Sequence, residues 1–124
     1  DNGVAQPGYV LVAHQAMIAE NPDLVQRFVN GSLCSVNACL ADRDACTQAL
    51  VDYNSQLADS AEMVRKQLDV SLDILLSPNN IDKILGLNVP EDWANVLELK
   101  KQYQELETDM TADQFFTNEF VVQQ

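Results

Sequence analysis

The stretch Asn-Pro-Asp-Leu-Val-Gln-Arg-Phe-Val at residues 21–29 decides the fold, because it opens the longest helical pattern in the chain. Asn21 is a natural N-cap, and Pro22 stands at the first helical position, where its missing N–H costs nothing. Gly31 weakens the helix by about 1 kcal/mol relative to Ala. The apolar residues recur at three- and four-residue intervals, which predicts one inward face: Val25, Phe28, Val29, Leu33, Val36 and Leu40.

Two further helices are predicted downstream. Asp42 is the expected cap of a helix over residues 43–53, and Asp59 with Glu62 forms an Asp variant of the capping box for a helix that runs to about Leu76. The expected inward residues of the first are Ala45, Cys46, Ala49, Leu50 and Tyr53, and those of the second are Val64, Leu68, Leu72 and Leu75.

The remaining segments are shorter. A helix is expected over residues 81–85, ending at Gly86, and Pro90 opens a long helix. The expected inward residues of that long helix are Trp93, Val96, Leu99, Tyr103 and Leu106. Thr111 is the expected cap of a last short helix that contains Phe115 and Phe116. Residues 9–13 form a short continuous apolar run, typical of a buried strand, with a helix as the alternative.

These patterns predict a mainly α fold. The chain of 124 residues, 47% of them hydrophobic, is sized for one domain over residues 1–124. We expect five or six helices, at most one short strand near the N-terminus, and a loose polar lead-in at residues 1–7.

The charge excludes one class of partner. The formal net charge of −12, with only seven Lys and Arg residues, argues against nucleic acid, which requires clustered cations. No apolar run approaches the roughly 20 residues that span a bilayer, so no membrane insertion is expected. No signal peptide is visible in this chain.

Catalytic chemistry finds little support in the sequence. His14 is the only histidine, and no acid lies near it in sequence, so a structural role is favoured over nucleophilic catalysis. Asp69 and Asp73 share a helix face, where a solvated surface is the favoured interpretation. Thr47 stands where a calcium loop starting at Asp42 would need glycine. No glycine-rich nucleotide loop is present. We therefore expect no enzyme activity, no metal and no cofactor.

The three cysteines leave two interpretations open. Cys34, Cys39 and Cys46 fit no zinc pattern, because there is no CxxC motif. They are either small buried apolar residues, or Cys39 and Cys46 form a disulfide across the predicted turn around Asp42. An extracytoplasmic compartment would permit that bridge.

Several short motifs occur in a distinctive order: GYVLVAH at residues 8–14, ENPDLVQRF at 20–28, EDW at 91–93 and FFTNEF at 115–120. Together they resemble the C-terminal part of the solute-binding proteins of ABC importers, in the family that binds nitrate, sulfonate, taurine and thiamine pyrimidines. The resemblance covers about residues 8–121. It implies a partial segment of a two-lobe fold in which residues 9–13 are a crossover strand.

The resemblance also implies a function. The chain would be the substrate-binding component, or a fragment of it, that delivers a small organic solute to an ABC permease outside the cytoplasm without catalysis. His14 and Gln15 follow the crossover strand and would lie near the solute. Because the family is longer than this chain, we expect no solute affinity of the chain alone, and uncovered apolar faces that drive homo-oligomers. The alternative is a stand-alone helical interaction module with no solute of its own.

Overall fold

The computed structural model describes residues 8–121, so the predicted lead-in at residues 1–7 lies outside the described residues. This part of the chain holds five α-helices: α1 Gln15–Glu20, α2 Pro22–Ala41, α3 Arg43–Tyr53, α4 Ala61–Asp73 and α5 Pro90–Tyr103. Two 3₁₀-helices cover Ser55–Ser60 and Ala112–Gln114. No strand occurs within residues 8–121. The prediction of a mainly α fold is confirmed.

Local capping signals placed the starts of α2 and α3 correctly. α2 begins at Pro22, as the Asn-Pro pair predicts, and it continues without interruption through Gly31. The Asp42 side chain caps α3, since its Oδ1 accepts a hydrogen bond from the Ala45 N–H at 2.9 Å. These interactions span only three residues, which is why the sequence alone reveals them.

The prediction of a buried strand at residues 9–13 is wrong. These residues have no regular secondary structure and are exposed, with Val12 at 89%. A strand needs a neighbouring strand to bind its N–H and C=O groups, and residues 8–121 provide none.

Three predicted helix boundaries are also wrong. α4 begins at Ala61 and not after Asp59, because the 3₁₀-helix Ser55–Ser60 occupies that position. α4 also ends at Asp73, short of Leu76. The second 3₁₀-helix does begin after Thr111, whose N–H donates to Gln114 Oε1 at 2.9 Å, but it ends before Phe115.

Turns replace the helix predicted at residues 81–85. The Asn80 side chain donates to the Ile84 carbonyl at 2.8 Å and accepts from the Ile84 N–H at 3.1 Å. This side chain thus occupies backbone groups that a helix would use. Lys83 adopts a positive φ of 52°, which a right-handed helix excludes.

The predicted inward faces are partly wrong. Val64, Leu68 and Leu72 on α4, and Leu75 just beyond its end, were predicted to face inward and are all half-buried. Other predicted inward residues are exposed, Tyr53 at 93% and Tyr103 at 72% among them. The remaining exposed members of the predicted faces are Phe28, Leu40, Ala45, Ala49, Leu50 and Leu106. Periodicity identifies an apolar face, but it does not reveal whether anything covers that face.

The chain divides into two compact units. One unit, residues 27–75, holds most of α2 with α3, α4 and the first 3₁₀-helix; the other holds, among the described residues, 8–26 and 76–121. The prediction of one domain over the whole chain stays a prediction. Within residues 8–121, only Asn80, Asp92 and Phe120 are buried, and Phe120 is the one apolar residue among them.

The helices of residues 8–121 are all too short or too polar to cross a membrane.

Candidate functional site

An open depression of about 260 Å³ lies in the unit that contains α5. It is formed by the turns that precede α5, the first residue of that helix, and one residue near the C-terminal end. Its lining is rich in asparagine and consists of Asn79, Asn80, Ile81, Asp82, Leu87, Asn88, Val89, Pro90 and Asn118.

Asn88 and Asn118 form a reciprocal pair at one side of this depression. The Asn88 N–H donates to Asn118 Oδ1 at 2.8 Å, and Asn118 Nδ2 donates to the Asn88 carbonyl at 2.9 Å. Asn88 Nδ2 also approaches Asn118 Oδ1 at 3.2 Å. The Asn118 amide therefore binds both backbone groups of Asn88, as a neighbouring strand would, and ties together segments thirty residues apart.

Trp93 joins this pair to the aromatic residues near the C-terminus. Its Nε1–H donates to Asn88 Oδ1 at 3.1 Å. Its ring stacks on Phe116, with centroids 5.8 Å apart and planes inclined by 19°. A half-buried indole thus has both a polar partner and an apolar one, as this amphipathic side chain requires.

One residue of the lining, Asn79, binds a buried carboxylate that does not itself line the depression. Asp92, 1% exposed, accepts a hydrogen bond from Asn79 Nδ2 at 2.6 Å. It lies in the first turn of α5, where the positive end of the helix dipole favours a negative charge. The helix terminus and one amide donor therefore offset the free-energy cost of burying this charge.

The chemistry available in this depression is limited. The amides of Asn80, Asn88 and Asn118 bind the protein itself, so they stabilise the walls. Asp82 is exposed at the rim. The lining includes no cysteine, histidine, serine or lysine. No group of three His, Cys, Asp or Glu residues in the described part of the chain could hold a metal ion.

The two residues predicted to lie near a solute are elsewhere. His14 is the N-cap of α1, and its Nδ1 accepts a hydrogen bond from the Ala16 N–H at 3.1 Å. Gln15 is the first residue of the same helix. Both are exposed, and neither lines the depression. Their role near a solute stays a prediction.

A disulfide joins Cys39 and Cys46 in the other unit, with their Cα atoms 5.1 Å apart. It links the end of α2 to the start of α3 across the turn at Asp42, at the position where one of the two interpretations of the cysteines predicted a bridge. Cys34 is free and exposed.

An ion-pair cluster links α3 to α4 in this unit. Arg43 donates to Asp69 at 2.9 Å and to Asp73 at 2.8 Å, while Arg65 binds Asp69 at 3.1 Å and also pairs with Asp44. The hydrogen bond from Arg43, followed by that from Arg65, holds the pKa of the Asp69 carboxyl below its ordinary value of 3.8. Asp69 and then Asp73 raise the pKa of the Arg43 guanidinium. The face expected to be solvated is exposed at Asp73, whose side chain is 64% accessible, and it also carries ion pairs.

Sequence reasoning missed both polar clusters. Asn88 and Asn118 are thirty residues apart, and Arg43 and Asp69 are twenty-six apart, so no local pattern connects them. One signal was available: Asn118 belongs to the FFTNEF motif, which carries part of the family resemblance.

The sequence matches no protein-family model, and no solved structure matches the chain. Over 113 residues, or 90% of its length, the chain is 29% identical to riboflavin-binding protein RibY of Chloroflexus aurantiacus. The chain spans about a third of that relative's length, 32%. The similarity is therefore to part of a protein that is named for binding.

Proposed function

We propose that this chain is a segment of a solute-binding protein that binds a small organic solute without catalysis. The observation that carries the proposal is the similarity over 90% of the chain to part of a riboflavin-binding protein. The order of short motifs along residues 8–120 independently resembles the solute-binding proteins of ABC importers. The solute would then pass to an ABC permease in an extracytoplasmic compartment.

The same relative supplies the first candidate for the solute. Riboflavin is the first candidate, because it is the ligand in that protein's name. The depression beside Asn88 supports a contributing role and not a complete site. It is open, at about 260 Å³ it is smaller than the roughly 300–1,000 Å³ that enclose a drug-sized ligand, and its amides already bind the protein.

Calorimetry with the protein from the complete reading frame that contains this chain tests the proposal. We expect saturable, stoichiometric heat with riboflavin. The other solutes to be titrated for comparison are a thiamine pyrimidine, taurine, a sulfonate and nitrate. The 124-residue chain alone should give flat titrations with all five. Flat titrations of the complete protein with every solute would overturn the proposal, and saturable heat from the chain alone would show that its own depression is a site.

A second candidate is a helical interaction module with no solute. It is favoured by the apolar surface of the described residues: Tyr9, Phe28, Tyr53, Met63, Ile81 and Tyr103 are all at least 60% exposed. This candidate predicts self-association at micromolar concentration, measured by sedimentation. A monomer that binds no hydrophobic dye would contradict it.

A further inference from the structure

The segment from Tyr103 to Phe115 displays large apolar side chains on an irregular backbone. It follows the end of α5 and contains one short 3₁₀-helix. Four of its apolar residues are exposed to solvent: Tyr103, Leu106, Met110 and Phe115. Single exposed apolar residues are ordinary on a surface, and the clustering of four within thirteen positions makes this segment the candidate for a partner contact.

Carboxylates alternate with these apolar residues. Glu105, Glu107, Asp109 and Asp113 are all exposed. From Gln102 to the last residue the sequence has no Lys, Arg or His. Within residues 8–121, none of the four carboxylates takes part in an ion pair.

The other unit shows that this chain can neutralise its acids. There the carboxylates of Asp44, Glu62, Asp69 and Asp73 are each paired with Arg43, Arg65 or Lys66. Three further carboxylates of that unit, Asp42, Asp52 and Asp59, are not ion-paired. Between Tyr103 and Phe115, in contrast, none of the four is paired within the described residues and the sequence supplies no cation, so this segment presents the denser uncompensated negative charge.

We propose that the 103–115 segment is a docking surface for a protein segment that carries both cationic and apolar side chains. Charge complementarity selects this occupant. A second copy of the chain would bring a formal charge of −12 toward four unpaired carboxylates, and an anionic membrane would repel them in the same way. The alternation of acids and apolar residues fits an amphipathic basic helix or loop. This inference does not rest on the solute-binding proposal.

Calorimetric titration of the chain with an amphipathic Leu/Lys peptide of about 18 residues, five helical turns, tests the proposal. We expect saturable binding that weakens as NaCl rises from about 50 to about 500 mM, because screening shortens the reach of exposed charges. A Leu/Glu peptide of the same pattern should not bind, and a Ser/Lys peptide should bind more weakly than Leu/Lys.

Matched variants distinguish the contribution of this segment to peptide binding from that of the net charge of the chain. The variant E105Q/E107Q/D109N/D113N should bind the Leu/Lys peptide about tenfold more weakly, as expected if four exposed ion pairs of a few tenths of a kcal/mol are lost. The control E20Q/D52N/D59N/E98Q removes the same charge from exposed residues elsewhere and should retain most of the affinity.

A second pair of variants tests the apolar contribution. Y103S/M110S should weaken binding, whereas Y53S/M63S removes the same two residue types from exposed positions outside the segment and should not. Far-ultraviolet circular dichroism checks that all variants keep their helices. Equal losses in segment and control variants, binding of the Leu/Glu peptide, or no saturable Leu/Lys binding would each overturn the proposal.

Discussion

The two compact units of this chain use different chemistry to hold helices and turns in place. Residues 27–75 combine a disulfide with ion pairs between α3 and α4. The unit around α5 instead relies on side-chain amides that bind the backbone, and on the stack of Trp93 against Phe116. Both units have few buried apolar side chains, so specific polar and covalent links carry a larger share of their stability than in a domain with a full core.

This difference predicts which change of conditions should alter the stability of each unit. The strength of ion pairs depends on pH and salt, and a disulfide is broken by reducing agents. Hydrogen bonds between neutral amides are insensitive to all three conditions. Each of the following predictions would break or sharpen that comparison.

Removing the disulfide should have the largest effect. In C39S/C46S we expect the free energy of unfolding to fall by about 2–3 kcal/mol, because the bridge closes a short loop and restricts the unfolded chain. Urea denaturation of the oxidised protein measures this change, and hydrogen exchange should locate it among the amides of residues 43–73. The control C34S removes an exposed free thiol and should change stability by less than about 0.5 kcal/mol. A loss confined to residues 88–118 would contradict the comparison.

The amide pair should come next. Asn118→Ala leaves the N–H and C=O of Asn88 without their amide partner, and we expect a loss of about 1–2 kcal/mol in the free energy of unfolding. Asn88→Ala removes the acceptor of the Trp93 indole and should cost a similar amount. A double-mutant cycle checks their cooperation: the combined variant should lose less than the sum of the singles. Strict additivity would show that the two residues act separately.

The pH dependence of the ion-pair cluster should be the smallest effect, because its members are partly exposed and screened by solvent. The pKa of Asp69 is lower in the folded chain, so its contribution to stability is present above pH 3.8 and disappears as the pH falls through the folded-state pKa. The stability difference between the native chain and D69N should therefore shrink on acidification.

Urea midpoints at several pH values between about 5 and 2 measure this difference. D59N is the matched control, since Asp59 is exposed and makes no ion pair within residues 8–121. A difference for D69N that stays constant or grows toward low pH would contradict the assigned direction.

The elements that sequence reasoning located are those set by neighbouring residues. Pro22 and Asp42 fix the starts of α2 and α3 within one helical turn, and both starts were predicted. The helix expected at residues 81–85 failed because the Asn80 side chain competes for the backbone of Ile84. Helix propensity alone does not predict that a side chain will take these backbone hydrogen bonds.

The candidate site could not be predicted from the sequence for a different reason. Asn88 and Asn118 become partners only when the chain brings two distant turns together. His14, which the family resemblance places near a solute, caps the short helix α1, and its role near a solute stays a prediction. The apolar run itself, residues 9–13, is exposed because no strand in the described chain pairs with it. Composition and periodicity do not reveal whether a pairing strand is present.

The position of Trp93 makes the two units optically distinguishable. It is the only tryptophan in the chain, and its indole lies between Asn88 and Phe116. Residues 27–75 contain no tryptophan, and their only tyrosine, Tyr53, is already exposed. Selective excitation of the indole therefore yields an emission spectrum that reports on the unit around α5, while far-ultraviolet dichroism follows the helices of both units. Coincident unfolding curves from the two signals would indicate a single cooperative transition, and separated curves would reveal two.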